Sequence, residues 1–271
     1  MTLVVSDISN LGIVMVGDSA VTRGNTVVSD AVKVQYSAPA NIGVAMWGYA
    51  DVGNERLDQW MAQFLQSSVK SNDSVEYVGT RIATQLNPIL QKTGKPWEQL
   101  VCGFHIAGYS GGLPCLYHVH CGHANEPPHE LRLYKDFPDS YGWSRAKFEF
   151  ILRSGFTHLR NGYHPLFGPL FDQVLEYSKT LQVNLNISFP QSTLRSRLEF
   201  YKLLVKFVAG VLAVSGKHQG VGEPLSAIAF GENGLQINEQ LSLSSTIQKV
   251  QANLTSYFNN ANKCNVSSFS G

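Results

Sequence analysis

Charged residues are scarce in this sequence. Lysine and arginine account for 21 residues and aspartate and glutamate for 20, which is 15% of the 271 residues and a formal net charge of +1. Soluble domains usually carry about a quarter of charged residues. The near-neutral balance gives no reason to expect binding to nucleic acid or to an anionic membrane. A surface of low charge also indicates that partner subunits cover part of it.

Cysteine is rare as well, and its spacing does not fit the common metal and redox motifs. The cysteines, none of which form a C-x-x-C pair, are Cys102, Cys115, Cys121 and Cys264. Four thiols without paired spacing are typical of a reduced protein in which most of them are buried. We therefore expect a cytoplasmic protein.

Long apolar runs are missing. No stretch approaches the roughly 20 apolar residues of a membrane span, and the most apolar segment, 203–214, contains Lys206 and predicts a buried helix. The N-terminus has no basic segment before its apolar run, and Asp7 interrupts that run, so we expect no secretory signal. No glycine-rich phosphate loop occurs, and we predict no cofactor.

The residues that are present alternate between strand and helix patterns. A hydrophobic share of 44% is typical of a globular protein. Strands are predicted at 2–6, 12–17, 33–36, 42–47, 100–107, 115–120, 131–134, 225–230 and 235–238. Helices are predicted at 57–65, 75–92, 143–160, 166–181 and 194–214, with an extended segment at 183–189. This order favours an α+β protein with sheets packed between helical layers rather than alternating βαβ units.

The domain boundaries follow from the same patterns. Residues 1–240 are predicted to form a single domain, in which 123–200 is an enlarged helical insertion. Residues 241–271 are predicted to be a polar C-terminal tail, helical from 246 to 259. Asp51 is the predicted N-cap of the segment that leads into the first helix.

The second residue, Thr2, is the strongest candidate for a catalytic nucleophile. Removal of Met1 would expose Thr2 as a residue with both a hydroxyl nucleophile and a free amine. An α-amine has a reference pKa of about 7.7–8.0 and can therefore act as a base near neutral pH. A threonine hydroxyl activated by an N-terminal amine is a known catalytic pairing. A protein can also begin Met-Thr by chance, so Thr2 alone is weak support.

Four segments place Thr2 in a larger pattern. They are 12–22 (GIVMVGDSAVT), 33–34 (KV), 44–48 (VAMWG) and 220–230 (GVGEPLSAIAF). In this order and spacing they resemble the proteasome β-subunits, and the chain is identified as similar to the N-terminal-nucleophile (Ntn) hydrolases of the bacterial proteasome type. The resemblance covers 2–122 and 203–239. It implies a four-layer αββα sandwich of two antiparallel sheets between helical layers.

The resemblance also implies roles for individual residues. Thr2 would be the nucleophile, Lys33 a cation beside it, and Asp18 the partner that holds the Lys33 ammonium. The backbone N–H of Gly48 would stabilise the oxyanion, and Met46 would line the substrate pocket.

Several positions depart from the family pattern. Ala20 stands where the family often has arginine, and Ser144 is a candidate for the family's supporting serine. The supporting aspartate should fall within 215–219, where His218 is the closest ionisable residue.

Several histidines form a cluster of potential metal ligands. His118, His120, Cys121 and His123 lie close together in the sequence, with His129 nearby. Zinc requires three or four such ligands, and no second ligand pair at the usual spacing follows. A strand with solvent-facing imidazoles is the favoured interpretation, and no metal site is predicted.

The expected function is that of a threonine-type peptidase that cleaves peptide bonds through an acyl-enzyme. The resemblance implies a homo-oligomeric ring, a peptide or unfolded protein as substrate, and an ATP-dependent unfoldase as a further partner. Two alternatives stay open: an amidase on the same fold that acts on a small amide, and a catalytically silent ring-forming structural subunit. The silent subunit predicts that Met1 is retained.

Overall fold

The computed structural model describes residues 2–23, 26–122, 127–138, 142–154, 157–162, 164–185, 193–215, 221–222 and 224–239. All of them lie in one compact unit that spans Met1–Gln240. The predicted tail at 241–271, His123, His218 and Cys264 fall outside the described residues.

The elements are named in chain order. The strands are β1 (Leu3–Ser9), β2 (Gly12–Asp18), β3 (Ala20–Arg23), β4 (Thr26–Asp30), β5 (Val34–Ser37), β6 (Ile42–Gly48), β7 (Asp51–Val52), β8 (Glu55–Arg56), β9 (Cys102–Ser110), β10 (Leu113–His120), β11 (Arg132–Phe137), β12 (Thr157–Gly162), β13 (Leu225–Gly231) and β14 (Gly234–Asn238). The helices are α1 (Leu57–Ser67), α2 (Val75–Gln91), α3 (Arg145–Ser154), α4 (His164–Leu185) and α5 (Leu194–Ser215).

Two five-stranded sheets dominate the fold. The first has the strand order β12-β1-β2-β13-β14, and the second has the order β11-β10-β9-β6-β5. Every neighbouring pair in both sheets is antiparallel. Two-stranded hairpins β3–β4 and β7–β8 lie outside the sheets.

Strands β1 and β2 are buried on both faces. Every residue of the two strands is buried. Because side chains alternate between the faces of a strand, Val4 and Met15 belong to an apolar cluster shared with residues of the second sheet, such as Ala107 and Leu116. Leu3 belongs to the cluster that the first sheet shares with α4 and α5.

The helices cover the other faces of the sheets. The predicted stripe of α2, Val78, Ile82, Leu86 and Leu90, is at most 1% exposed and packs with α1 against the second sheet. Helix α5 contacts β2 and β13. The prediction of an α+β protein with antiparallel sheets and helices is confirmed at this level. Among the described residues, no helix has both the length and the hydropathy that a membrane span requires.

Three local predictions were wrong. Residues 157–160 were predicted as helix but belong to strand β12, because the edge of β1 offers backbone groups that β12 pairs with from Leu3 to Ile8. Residues 183–185 were predicted as extended but end helix α4, while 186–189 lie outside the described residues. Asp51 lies in β7, and the N-cap of α1 is Arg56.

Candidate active site

Thr2, Lys33 and Asp18 meet at one end of the stacked sheets. Thr2 directly precedes β1, Asp18 ends β2, and Lys33 directly precedes β5. The Lys33 Nζ donates to Thr2 Oγ1 at 3.0 Å, to Asp18 Oδ2 at 3.0 Å and to the backbone oxygen of Ala20 at 2.6 Å. Thr2 is 6% exposed, Lys33 is 5% exposed and Asp18 is fully buried. One ammonium thus links the hydroxyl of the second residue to a buried carboxylate.

Asp18 also fixes the backbone around this contact. Its Oδ1 accepts the backbone N–H of Leu3 at 2.8 Å, and its Oδ2 accepts that of Ala20 at 3.1 Å. Leu3 follows Thr2 directly, so the same carboxylate holds the Lys33 cation and the start of β1. Asp18 therefore positions both the Lys33 ammonium and the Thr2 hydroxyl.

Burial shifts the ionisation of this pair. It raises the pKa of Asp18 above its ordinary value, although the Lys33 charge and the Leu3 N–H act in the opposite direction. It lowers the pKa of Lys33, although the Asp18 charge opposes that shift. Burial thus favours the neutral form of each group, whereas the attraction between the two charges favours the ion pair.

Gly48 ends β6 in a backbone conformation and at a close contact that only glycine allows. Its φ is +90°, and a Cβ added there would lie 2.2 Å from the backbone oxygen of Val101. Tyr49 donates its N–H to that same oxygen at 2.8 Å, whereas Met46 donates to the backbone oxygen of Lys33 at 2.8 Å. Because donors alternate along an antiparallel strand, the Gly48 N–H lies on the Lys33 side of β6. This is the side on which Thr2 lies.

A cavity of about 530 Å³ opens over these residues. Thr2, Lys33, Met46 and Gly48 all line it. Its further lining includes the apolar residues Ala20, Val21, Val28, Ala31 and Leu57 and the polar or charged residues Tyr49, Asp51, Arg56, Asp58 and Lys95. The volume is typical of a small-molecule or peptide side-chain site.

Sequence reasoning missed the contribution of β12. Gly162 lies opposite Leu3, has a φ of +91°, and a Cβ added there would lie 1.6 Å from the backbone oxygen of Thr2. Only glycine allows β12 to approach Thr2 this closely. The alternation of Thr157 and Leu159 before the turn-forming pair Asn161-Gly162 was the available signal for this strand.

A polar chain links β12 and β1 of the first sheet to β9 of the second. The Asn161 Oδ1 lies 2.6 Å from His105 Nε2, and the Ser6 Oγ lies 2.9 Å from His105 Nδ1. Ser6 and His105 are fully buried, and burial lowers the pKa of His105 to about 3. The imidazole is therefore neutral at physiological pH and acts as a hydrogen-bonding link between β1, β9 and β12.

Of the supporting residues suggested by the family pattern, the structure describes Ser144 but not His218. Ser144 precedes α3, and its Oγ accepts the backbone N–H of Lys147 at 3.3 Å, as an N-cap does. It is not part of the cavity lining. Residues 216–220, including His218, lie outside the described residues. Ala20 contributes its backbone oxygen to Lys33 and its side chain to the cavity.

The histidine cluster is engaged in side-chain contacts. His118 Nδ1 lies 2.6 Å from Asp136 Oδ2, and the His118 ring stacks on Tyr134 with centroids 4.9 Å apart. The His120 ring lies 4.9 Å from the ring of Trp47. Within the described part of the chain, no three His, Cys, Asp or Glu side chains are arranged to hold a metal ion.

Comparison with known proteins gives structural neighbours only. No protein-family profile and no curated protein sequence matches the chain. Among solved structures it is similar to Anbu (ancestral beta-subunit) from Yersinia bercovieri, at a TM-score of 0.52 and 15% identity over 95% of this chain and 96% of that one. It is also similar to the helical assembly of the Anbu complex from Pseudomonas aeruginosa, at a TM-score of 0.54 and 16% identity over 95% of this chain and 96% of that one.

A third neighbour is an Anbu (Gly-1) mutant from Hyphomicrobium sp. strain MC1. Its TM-score is 0.56 with 12% identity, over 100% of this chain and 99% of that chain. At such low identity these matches show a shared fold and no more. They correct the assignment made from the sequence. The neighbours are Anbu proteins, a distinct proteasome-like group, so identification as a bacterial proteasome-type Ntn hydrolase was wrong.

Proposed function

We propose that this chain is a self-assembling subunit with a proteasome-like fold in a four-layer αββα arrangement. The support for assembly comes from the neighbours, one of which is a helical assembly of the Anbu complex. The low charged share of 15% also fits a surface covered by copies of the chain. The expected assembly is a homo-oligomer, a ring or an open helical array.

We further propose that the subunit carries a threonine amide-hydrolase centre that is silent while Met1 is in place. The observation that carries this proposal is the 3.0 Å contact between Lys33 Nζ and Thr2 Oγ1 at the wall of a cavity. With Met1 attached, the nitrogen of Thr2 is an amide and cannot accept a proton. After removal of Met1, the free amine and Lys33 flank the same hydroxyl.

The proposed reaction assigns a role to Thr2, Lys33 and Gly48. Thr2 Oγ1 attacks the carbonyl carbon of the amide, and its proton passes to the Thr2 amine while Lys33 stabilises the forming alkoxide. The Gly48 N–H stabilises the oxyanion. Breakdown of the tetrahedral intermediate breaks the C–N bond of the substrate. The Thr2 amine then returns the proton to the departing nitrogen. Water then attacks the acyl ester and regenerates Thr2.

The substrate would be a peptide or unfolded protein, delivered in cells by an ATP-dependent unfoldase, or a small amide. A preference for extended peptides over short acyl-amides in hydrolysis assays would separate the peptidase from the amidase.

The catalytically silent subunit is the second proposal. Ala20 in place of arginine, and the lack of an aspartate in 215–219, both favour it. Intact-mass measurement of the purified protein, with native mass spectrometry of the assembly, tests the two proposals together. A mass that lacks Met1 supports the hydrolase centre. A retained Met1 in an assembled oligomer leaves the silent subunit, and a monomer under all conditions contradicts the proposed assembly.

A further inference from the structure

Most charges around the cavity are already compensated. The charged side chains of its described lining are Lys33, Asp51, Arg56, Asp58 and Lys95. Lys33 pairs with Asp18, which lies behind it. Arg56 binds Asp58 through two hydrogen bonds of 2.9 and 2.8 Å. These two cations therefore offer little free charge to a ligand.

Lys95 differs from the other two cations. Its Nζ donates to the Tyr49 hydroxyl at 2.9 Å and lies 5.1 Å from the centroid of the Tyr49 ring. No carboxylate of the described residues forms an ion pair with it. The ammonium is thus bound by the Tyr49 hydroxyl, a neutral group that leaves its charge uncompensated.

The backbone of Lys95 is fixed by a tight turn after α2. The Thr93 Oγ1 donates to the backbone oxygen of Leu90 at 2.6 Å and accepts the N–H of Lys95 at 3.3 Å. Gly94 takes a φ of +68° in this turn. A lysine with an ordered backbone and an ordered ammonium loses less conformational entropy on binding a ligand than a freely rotating one.

The position of this cation relates it to the proposed chemistry. Tyr49 follows Gly48 directly, and its N–H is bonded to the backbone oxygen of Val101. The Lys95 ammonium is therefore anchored one residue beyond the proposed oxyanion donor and on the same cavity. Gly48, Tyr49 and Lys95 therefore face one ligand-binding space.

We propose that Lys95 and Tyr49 recognise a carboxylate, so that the cavity takes acidic peptides in preference to neutral or basic ones. This inference rests on the proposed function of the cavity as a peptide-binding site. Asp51 lines the same cavity and would repel an anion. The preference must therefore come from direct contact with the Lys95 ammonium and not from the net charge of the lining.

The test is a binding titration followed by NMR. The protein carries Thr2→Ala, so that no peptide is consumed. The probes are three acetylated tetrapeptide amides, Ala-Ala-Ala-Glu, Ala-Ala-Ala-Gln and Ala-Ala-Ala-Lys. A partly exposed charge pair predicts that the Glu peptide binds about threefold more tightly than the Gln peptide at low salt. The Lys peptide is expected to bind most weakly.

Charge reversal supplies the control. Lys95→Glu in this background should reverse the order of the Glu and Lys peptides. Lys92→Glu makes the same charge change at the C-cap of α2, at an exposed residue outside the cavity lining, and should leave the order unchanged. Equal dissociation constants for the Glu and Gln peptides, or equal effects of the two substitutions, would overturn the inference and leave the proposed peptide site standing. Absence of saturable binding by all three peptides would overturn both.

Discussion

Two buried carboxylates of the first sheet, Asp18 and Asp7, each pair with a cation, but the surroundings of the two pairs differ. Asp7 binds Arg197 through both of its carboxylate oxygens and accepts the Tyr201 hydroxyl at 2.8 Å, beneath helix α5. All three residues are at most 1% exposed. Asp18 is equally buried, yet its partner Lys33 reaches a hydroxyl at the wall of a cavity.

The comparison shows which observations identify a site. Burial raises the pKa of both Asp7 and Asp18, so a perturbed carboxylate alone does not distinguish them. Two donors of Arg197, Nε and Nη2, bind Asp7, and the pair ties α5 to β1. Lys33 divides its donors between Asp18, a backbone oxygen and Thr2. A buried pair becomes a candidate active site when one donor contacts a nucleophile that a ligand can reach.

The largest expected effect on stability comes from the Asp7–Arg197 pair beneath α5. Arg197→Leu should lower the free energy of unfolding by about 3–5 kcal/mol, because it leaves the Asp7 charge buried without its partner. Urea unfolding followed by circular dichroism measures the loss. Arg195→Leu, at an exposed position of the same helix, is the matched control and should change stability by less than about 0.5 kcal/mol. Similar losses in the two variants would contradict a structural role for the Asp7–Arg197 pair.

Removal of the Lys33 cation from the Asp18–Lys33 pair should lower the free energy of unfolding by a smaller amount. In Lys33→Met, Asp18 still accepts the N–H groups of Leu3 and Ala20. We therefore expect the free energy of unfolding to fall by about 1–3 kcal/mol at neutral pH. The folded pKa of Asp18 is already raised, and removal of the Lys33 charge raises it further. A carboxyl with a raised folded pKa loses stability as the pH rises through that pKa. The cost of Lys33→Met should therefore be greater at pH 8 than at pH 5, and a larger loss than in Arg197→Leu would break the comparison.

The smallest expected effect concerns His105, a neutral buried group between the sheets. Its folded pKa of about 3 lies below the ordinary value of 6.5, so below pH 6.5 the unfolded chain gains a proton that the folded protein does not. Stability should fall by up to about 1.4 kcal/mol from this group between pH 6.5 and 5.5. His105→Gln should flatten that part of the stability curve relative to the unmodified protein. Parallel curves for the two proteins, measured by urea unfolding from pH 7 to 5.5, would show that His105 does not titrate in this way.

The sequence predicted local features better than long-range ones. The helical stripe of α2 follows from a regular spacing of apolar residues, and the residues around Thr2 follow from ordered motifs at the N-terminus. Strand β12 was missed because an edge strand of six residues gives a weak pattern and forms by pairing with β1, far away in the chain. The Asp7–Arg197 pair joins residues separated by 190 positions, and no single-sequence pattern indicates it.

The position of Lys95 could not be predicted either. Its proposed role depends on a turn that places the ammonium beside the Tyr49 hydroxyl, on a residue 46 positions earlier in the chain. The Gly162 contact with Thr2 is of the same kind, because it requires two strands to approach that are distant in sequence. Side chains of this type are recognised only when the fold brings them to the cavity.

Labelling of Thr2 with a peptide β-lactone tests the central claim most directly. We expect that protein freed of Met1 gains the full mass of one β-lactone, because ring opening expels no leaving group. Peptide mapping should place the label on Thr2, and Lys33→Met should slow the labelling by at least about tenfold. Protein that retains Met1 should stay unlabelled at the same position. A Met1-free protein that is folded and assembled but does not acylate at Thr2 would contradict the account.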